Sequence, residues 1–190
     1  MPRDDISKFL VHWTKGETYE EAFDTLRSIV FEQKLLGGNG HIKGGHTCIC
    51  FTEAPQDKFH AIAGKYKPFG VRVSKKWLFQ QGGRPVIYQS EQEYYSLPAG
   101  HAWRHVRYEP DRVPPVDFSW EREWRIQSSE LALPPEEVFL ILPDEHWVRV
   151  LEMEHDHHEY GQIYMEVTAY GEWAQRPPEP FHYQYSIIHV

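Results

Sequence analysis

Residues 120–126 read Trp-Glu-Arg-Glu-Trp-Arg-Ile, with acidic, basic and aromatic side chains in alternation. In an extended chain this pattern sets Glu121, Glu123 and Arg125 on one face and Trp120, Arg122, Trp124 and Ile126 on the other. Two carboxylates about 7 Å apart in one row repel unless a cation, a sugar hydroxyl or a developing positive charge lies between them. Such a row marks a binding or catalytic face, with the flanking tryptophans as its anchors in the core. The same heptapeptide also reads as a sheet strand with a solvated Glu–Arg ladder.

Three further segments carry side chains able to join it. His12 and Thr14 alternate to one face at the end of a first strand and form a hydrogen-bonding pair. Phe51-Thr52-Glu53 closes a second strand with a hydroxyl and a carboxylate. Arg84-Pro85-Val86-Ile87-Tyr88 lets Arg84 and Tyr88 flank a ligand while Val86 and Ile87 pack. No metal centre is expected. Glu154-His-Asp-His-His-Glu159 carries ligating side chains, but consecutive residues on a turn do not converge on one ion. A nuclease using a divalent ion needs one more converging carboxylate, and Glu53 is the candidate.

The elements that must position these groups follow from periodicity and punctuation. Residues 8–14 predict a strand, and residues 19–36 a helix with Thr18 as N-cap, Glu21 three residues on and Gly37 as the stop. Residues 47–53 predict a strand, 54–63 a short helix, 69–74 a strand, 75–81 a short helix and 84–89 a strand, with glycines 82 and 83 at the turn. A helical turn over 91–97, strands over 103–108 and 120–126, and a buried strand over 138–142 come next. Residues 154–159 read as a polar turn, 163–169 as a strand, and 181–189 as a final strand after a proline-bearing linker. Short strands mixed with short helices, and one long helix after the first strand, predict α+β with a mixed or antiparallel sheet.

At 190 residues, 41% hydrophobic and 15% aromatic, the chain predicts one compact domain, a core over 1–150 and an extension over 151–190 that completes or covers it. A formal charge of −8 argues against a protein devoted to tracking a phosphate backbone. Cys48 and Cys50 point the same way on a strand, poor geometry for bonding each other, and read as reduced core thiols in a cytoplasmic protein. No stretch reaches the length of a membrane span, so no membrane partner is expected.

A first strand ending in His12-x-Thr14, a helix, a strand ending in Phe51-Thr52-Glu53 and a later Glu121-x-Glu123 strand together resemble the ordered signature of ADP-ribosyltransferases. The His-x-Thr followed by a helix is similar to the DarT type, which modifies nucleic-acid bases. Tyr66-Lys-Pro-Phe-Gly-Val-Arg-Val-Ser-Lys75, Arg84-Pro-Val-Ile-Tyr88 and Trp120-Glu-Arg-Glu-Trp-Arg125 look like the bacterial abortive-infection AbiGi-like proteins, over roughly residues 8–142. This resemblance implies a phage-defence or toxin–antitoxin role, an ADP-ribosyltransferase-like fold and NAD as the bound nucleotide. It also implies a nucleic-acid or protein acceptor, and transfer or NAD hydrolysis as the reaction. Glu123 and Glu121 would be the catalytic carboxylates, Glu123 leading. His12 and Thr14 would hold ribose and amide groups, Thr52 would support the glutamate, and Arg84 would pair with the pyrophosphate. Tyr88, Tyr94 and Tyr95 all stand as candidates to stack on nicotinamide. The alternative is a non-catalytic antitoxin that binds a cognate toxin.

Overall fold

Leu10, Val11 and Trp13 bury both sides of the run Phe9–Trp13 (β1), which makes it a central strand of a seven-stranded sheet. The computed structural model describes residues 6–40, 42–53 and 66–188, so the helix expected over 54–63 lies outside the described residues. Helix α1 (Tyr19–Glu32) opens with the expected capping box: the Thr18 hydroxyl accepts from the Glu21 N–H at 3.1 Å, and the Glu21 carboxylate accepts from the Thr18 N–H at 3.4 Å.

The end of α1 differs from the sequence expectation. Gln33 adopts a left-handed conformation (φ 51°, ψ 35°), its N–H reaches the Ile29 and Val30 carbonyls, and β2 (Lys34–Leu36) runs extended. Leu35 supplies the reason. It is buried opposite Leu131, a cross-strand pairing that a helix continued to residue 36 would forgo. Gly37 is not the stop. A Cβ there would lie 2.2 Å from the Ser128 carbonyl oxygen, so its smallness serves a close backbone approach.

Then follow β3 (Ile49–Thr52), β4 (Gly70–Ser74), α2 (Lys75–Gln80), β5 (Arg84–Pro85), β6 (Ile87–Gln89), β7 (His105–Arg107), β8 (Glu123–Ile126), β9 (Glu130–Ala132), β10 (Val138–Leu142), α3 (Glu145–Tyr170) and β11 (Gln184–Ile187). The main sheet has the order β11-β10-β4-β1-β3-β8-β5, antiparallel except for the β10–β11 pair. β2 pairs with β9 and β6 with β7 in two small ribbons. This is a single-domain α+β fold with a mixed sheet. Two expected strands come out shorter: 84–89 divides into β5 and β6, and 103–108 begins as a 3-10 turn over Ala99–Arg104 before β7.

The C-terminal third corrects the sequence reading most. Neither a polar turn at 154–159 nor a strand at 163–169 forms, and the longest helix is α3, 26 residues near the end, against 14 for α1 after the first strand. Asp144 caps it by accepting from the His146 and Trp147 N–H groups at 2.8 and 3.4 Å. No proline interrupts 145–170 and the only glycine is Gly161, so the polar run Glu154–Glu159 is the solvated middle of a helix. Ile163, Glu166 and Val167 are half-buried while Tyr164 and Met165 are exposed, a helical spacing that over a short window imitates alternation. None of the described helices is long and apolar enough to cross a membrane.

Strand register divides the sheet into two chemically different faces. Leu10, Ile49, Phe51, Val71, Val73, Ile126 and Leu140 share the face covered by Phe23 and Leu26 of α1 and by Val148 and Leu151 of α3. Burying each such side chain stabilises by about 1.5–3 kcal/mol, so this face is the principal core. The other face carries Val11, Trp13 and Ile141 under Ile188, and further along Cys50, Thr52, Glu123 and Arg125. Trp103 and Ile42 pack there against Cys48, so the segment from 99 to 107 roofs this half of the sheet.

Candidate functional site

The row expected along 120–126 breaks at Arg122, which is left-handed (φ 46°, ψ 51°), and extended structure begins only at Glu123. Residues Ser119–Glu121 form a 3-10 turn and Trp120 is 44% exposed, so it is no core anchor. A left-handed non-glycine residue costs roughly 1–2 kcal/mol. The Glu121 carbonyl offsets this by accepting from the Thr52 hydroxyl at 2.5 Å and from the Glu53 N–H at 3.2 Å. The turn lifts Glu121 out of the strand row, while Glu123 and Arg125 remain on one face as expected.

Arg125, 5% exposed, grips Glu123 at two points, Nε to Oε1 at 2.7 Å and Nη2 to Oε2 at 3.3 Å. Its Nη1 donates to the carbonyls of Trp103 (3.0 Å) and His105 (2.9 Å), which ties the roof to β8. A buried guanidinium needs this degree of satisfaction. Cys50 sits opposite Arg125, and burial together with the charge of Glu123 pushes its thiol up to about 12. Cys48 is also raised, by burial, and both thiols are free, as expected.

Tyr88 closes the other side. Its hydroxyl accepts from the Glu123 N–H at 3.0 Å. Burial pushes the phenol up to about 12, with the negative charges of Glu123 and Glu121 acting in the same direction. Thus Glu121, Glu123, Thr52 and Tyr88 come together at the head of β8. A carboxylate here is fixed in orientation by a guanidinium beside a phenol that keeps its proton, an arrangement able to stabilise an adjacent positive charge.

The remaining expected residues go elsewhere. His12 and Thr14 lie on the opposite face, because β1 pairs with β4 and β3 in a register that sets His12 beside Phe51, edge-on at 5.7 Å. The His12 Nδ1 lies 2.8 Å from the Cys50 carbonyl, and burial holds the imidazole below its ordinary value. His12 lines a 210 Å³ groove with Thr25, Ser28, Ile29 and Glu32 of α1, away from the glutamates. The Thr14 hydroxyl donates to the Phe69 carbonyl at 3.1 Å in the interior. Arg84, although β5 adjoins β8, turns back to donate to the Phe79 and Gly83 carbonyls at 2.9 and 2.7 Å, with its guanidinium 3.8 Å from the Phe79 ring centroid.

Sequence reasoning missed the clasp made by Arg125 and the nearness of the thiols to Glu123, and its candidate for a further carboxylate, Glu53, lies apart from the site. Arg125 entered only as part of a charged row, and its clasp on Glu123 depends on the carbonyls of residues 103 and 105, which no motif announces. Glu53 is 9% exposed and held by Lys75 Nζ at 2.5 Å and by the Trp124 indole N–H at 3.0 Å, so it faces away from Glu123 with Trp124. The Cys-x-Cys spacing of 48 and 50 was the available signal for thiols beside the glutamate. The Glu154–Glu159 run spreads around α3, with Glu154 on Arg27 and Glu159 on Arg176, each at 2.9 Å. Among the described residues no three His, Cys, Asp or Glu side chains are grouped to hold a metal ion.

No protein-family model, curated protein or solved structure matches this chain.

Proposed function

We propose that the chain is an ADP-ribosyltransferase-like protein of a cytoplasmic phage-defence or toxin–antitoxin system, acting on NAD at the head of β8. The observation that carries this is the meeting of Glu121, Glu123 and Tyr88, with Thr52 fixing the main chain of Glu121. Cleaving the nicotinamide–ribose bond develops an oxocarbenium-like cation on the sugar. Glu123, oriented by Arg125, supplies the fixed negative charge that stabilises this cation. Glu121, on the turn just before β8, orients the accepting hydroxyl or base and takes its proton. Thr52 acts through the Glu121 carbonyl, and His12 and Thr14 have no contact with the sugar from the other side of the sheet. The acceptor is a nucleic-acid or protein group, or water in an NAD glycohydrolase.

The test is purified protein with NAD, followed by thermal shift and by NMR of released nicotinamide. Release by the native chain, lost in Glu121→Gln with the fold unchanged and in Glu123→Gln at temperatures where that less stable variant stays folded, is the expected result. No binding up to millimolar NAD overturns it.

The Arg125 clasp favours a second reading as well. With both oxygens of Glu123 engaged, the cluster also serves as the rigid support of a non-catalytic antitoxin that binds a cognate toxin. Expression of the chain alone separates the two, since an antitoxin leaves the host unharmed.

A further inference from the structure

A cleft of 330 Å³ lies between α2, the end of α1 and β9, and shares no residue with the β8 cluster. Its volume is at the lower end of the range of small-molecule sites, about 300–1,000 Å³. The floor is apolar: Trp77, Leu131 and Leu133 are buried members of the principal core, and Pro134 joins them. The main chain beneath is already engaged. The Leu133 N–H donates to the Gln33 carbonyl and the Leu133 carbonyl accepts from the Tyr183 hydroxyl, each at 2.8 Å. At the rim the side-chain amides of Gln33 and Gln81 stay open, both residues being exposed and neither amide having a hydrogen-bond partner among the described residues.

Gln33 adds an independent observation. Its left-handed backbone serves the turn into β2, and glycine takes that conformation at lower cost. The glutamine side chain gains no hydrogen bond within the chain in return, and backbone strain of this kind is retained where a side chain serves a ligand or a switch.

We propose that this cleft binds an uncharged adenine-type ring, as a free base or nucleoside. A glutamine amide carries a donor and an acceptor side by side, the complement of the amino group and ring nitrogen on an adenine edge. Gln33 and Gln81 meet two edges of one ring while its face buries on Trp77 and Leu133. No Lys, Arg, His, Asp or Glu lines the cleft, so a phosphate or carboxylate finds no partner there and the bound part is neutral. The formal charge of −8 weighs against a base carried on a nucleic-acid strand. Adenosine lacks the bond cleaved at β8, so its binding here and nicotinamide release there are read separately.

The experiment is a titration of the full chain with adenosine, followed by NMR at the side-chain amides of Gln33 and Gln81 and at the Trp77 indole. Saturable shifts at these groups are expected. Gln33→Gly should raise the thermal midpoint by relieving the left-handed residue and yet bind adenosine about tenfold more weakly, a divergence that an idle surface glutamine would not produce. Gln81→Ala should weaken binding to a similar degree with thermal unfolding unchanged. The ribonucleoside of purine itself, which lacks the exocyclic amino group, should also bind about tenfold more weakly. No saturable shift through the millimolar range of adenosine overturns the proposal, and so do shifts confined to Tyr88 and Glu123. Equal binding of the purine ribonucleoside overturns the adenine edge, and tighter binding of a short oligodeoxyadenosine strand overturns the free nucleoside.

Discussion

The head of β8 and the distal half of α3 use charged and aromatic residues in opposite ways. At β8 the polar atoms are enclosed and mutually engaged. Arg125 makes four hydrogen bonds, to Glu123 twice and to the Trp103 and His105 carbonyls, while the Glu121 carbonyl takes two donors. Along distal α3 the aromatics stand in solvent and the ion pairs are half-exposed. Burial makes each polar contact at β8 costly to lose, because a stranded charge in a low-dielectric interior has no water to turn to. Exposure makes the same residue types on α3 nearly neutral for folding.

The largest expected effect therefore belongs to the clasp. Arg125→Met leaves the Glu123 carboxylate and two carbonyls unpaired and should destabilise by about 3–5 kcal/mol in urea unfolding. A loss under about 1 kcal/mol would break the contrast by showing that water reaches the cluster. Within α3, Leu151→Ala at the rooted end should cost about 2–5 kcal/mol. Asp144→Ala removes the acceptor for two helix N–H groups and should cost about 1 kcal/mol. Tyr164→Ala should fall within about 0.5 kcal/mol of wild type. If Tyr164 costs as much as Leu151, distal α3 is packed and the comparison fails.

Titration sharpens the same contrast. The folded values of Cys50 and Tyr88 are raised to about 12. Their protonated forms are favoured in the native state, so the stability they contribute is complete below the unfolded values of about 8.5 and 10 and is lost as pH climbs towards 12. Cys50→Ala should flatten this alkaline loss in unfolding curves. His12 has the opposite sign. Its folded value is lowered, so stability is present above the ordinary imidazole value of about 6.5 and falls as pH drops through the folded one. His12→Asn, which keeps a donor for the Cys50 carbonyl, should remove that acid-side slope.

Legibility followed the range of the interaction. The Thr18 and Glu21 capping box, the β1 and β4 strands and the apolar run of β10 were readable because each is decided within a few residues. The alternation of Glu123 with Arg125 was readable for the same reason, whereas Glu121 was not, since the reversal at Arg122 is held by Thr52 and Glu53 from a strand some seventy residues earlier. Likewise, nothing near Gln33 announces a left-handed helix end. The partner that decides it is Leu131. The helical run through Glu154–Glu159 was misread because a cluster of polar residues resembles a turn when its supports, Arg27 and Arg176, lie outside the window.

The sequence by itself determined an α+β chain of short strands, the start of α1, the free thiols on one strand face and the orientation of Glu123 beside Arg125. Tertiary structure alone decided which groups meet. His12 and Glu123 both occupy strands of one sheet, yet pairing register sends them to opposite faces. A side chain's face is a local property of its strand, but which strands adjoin and in what register depends on the burial of the whole apolar set, to which no single segment holds the key.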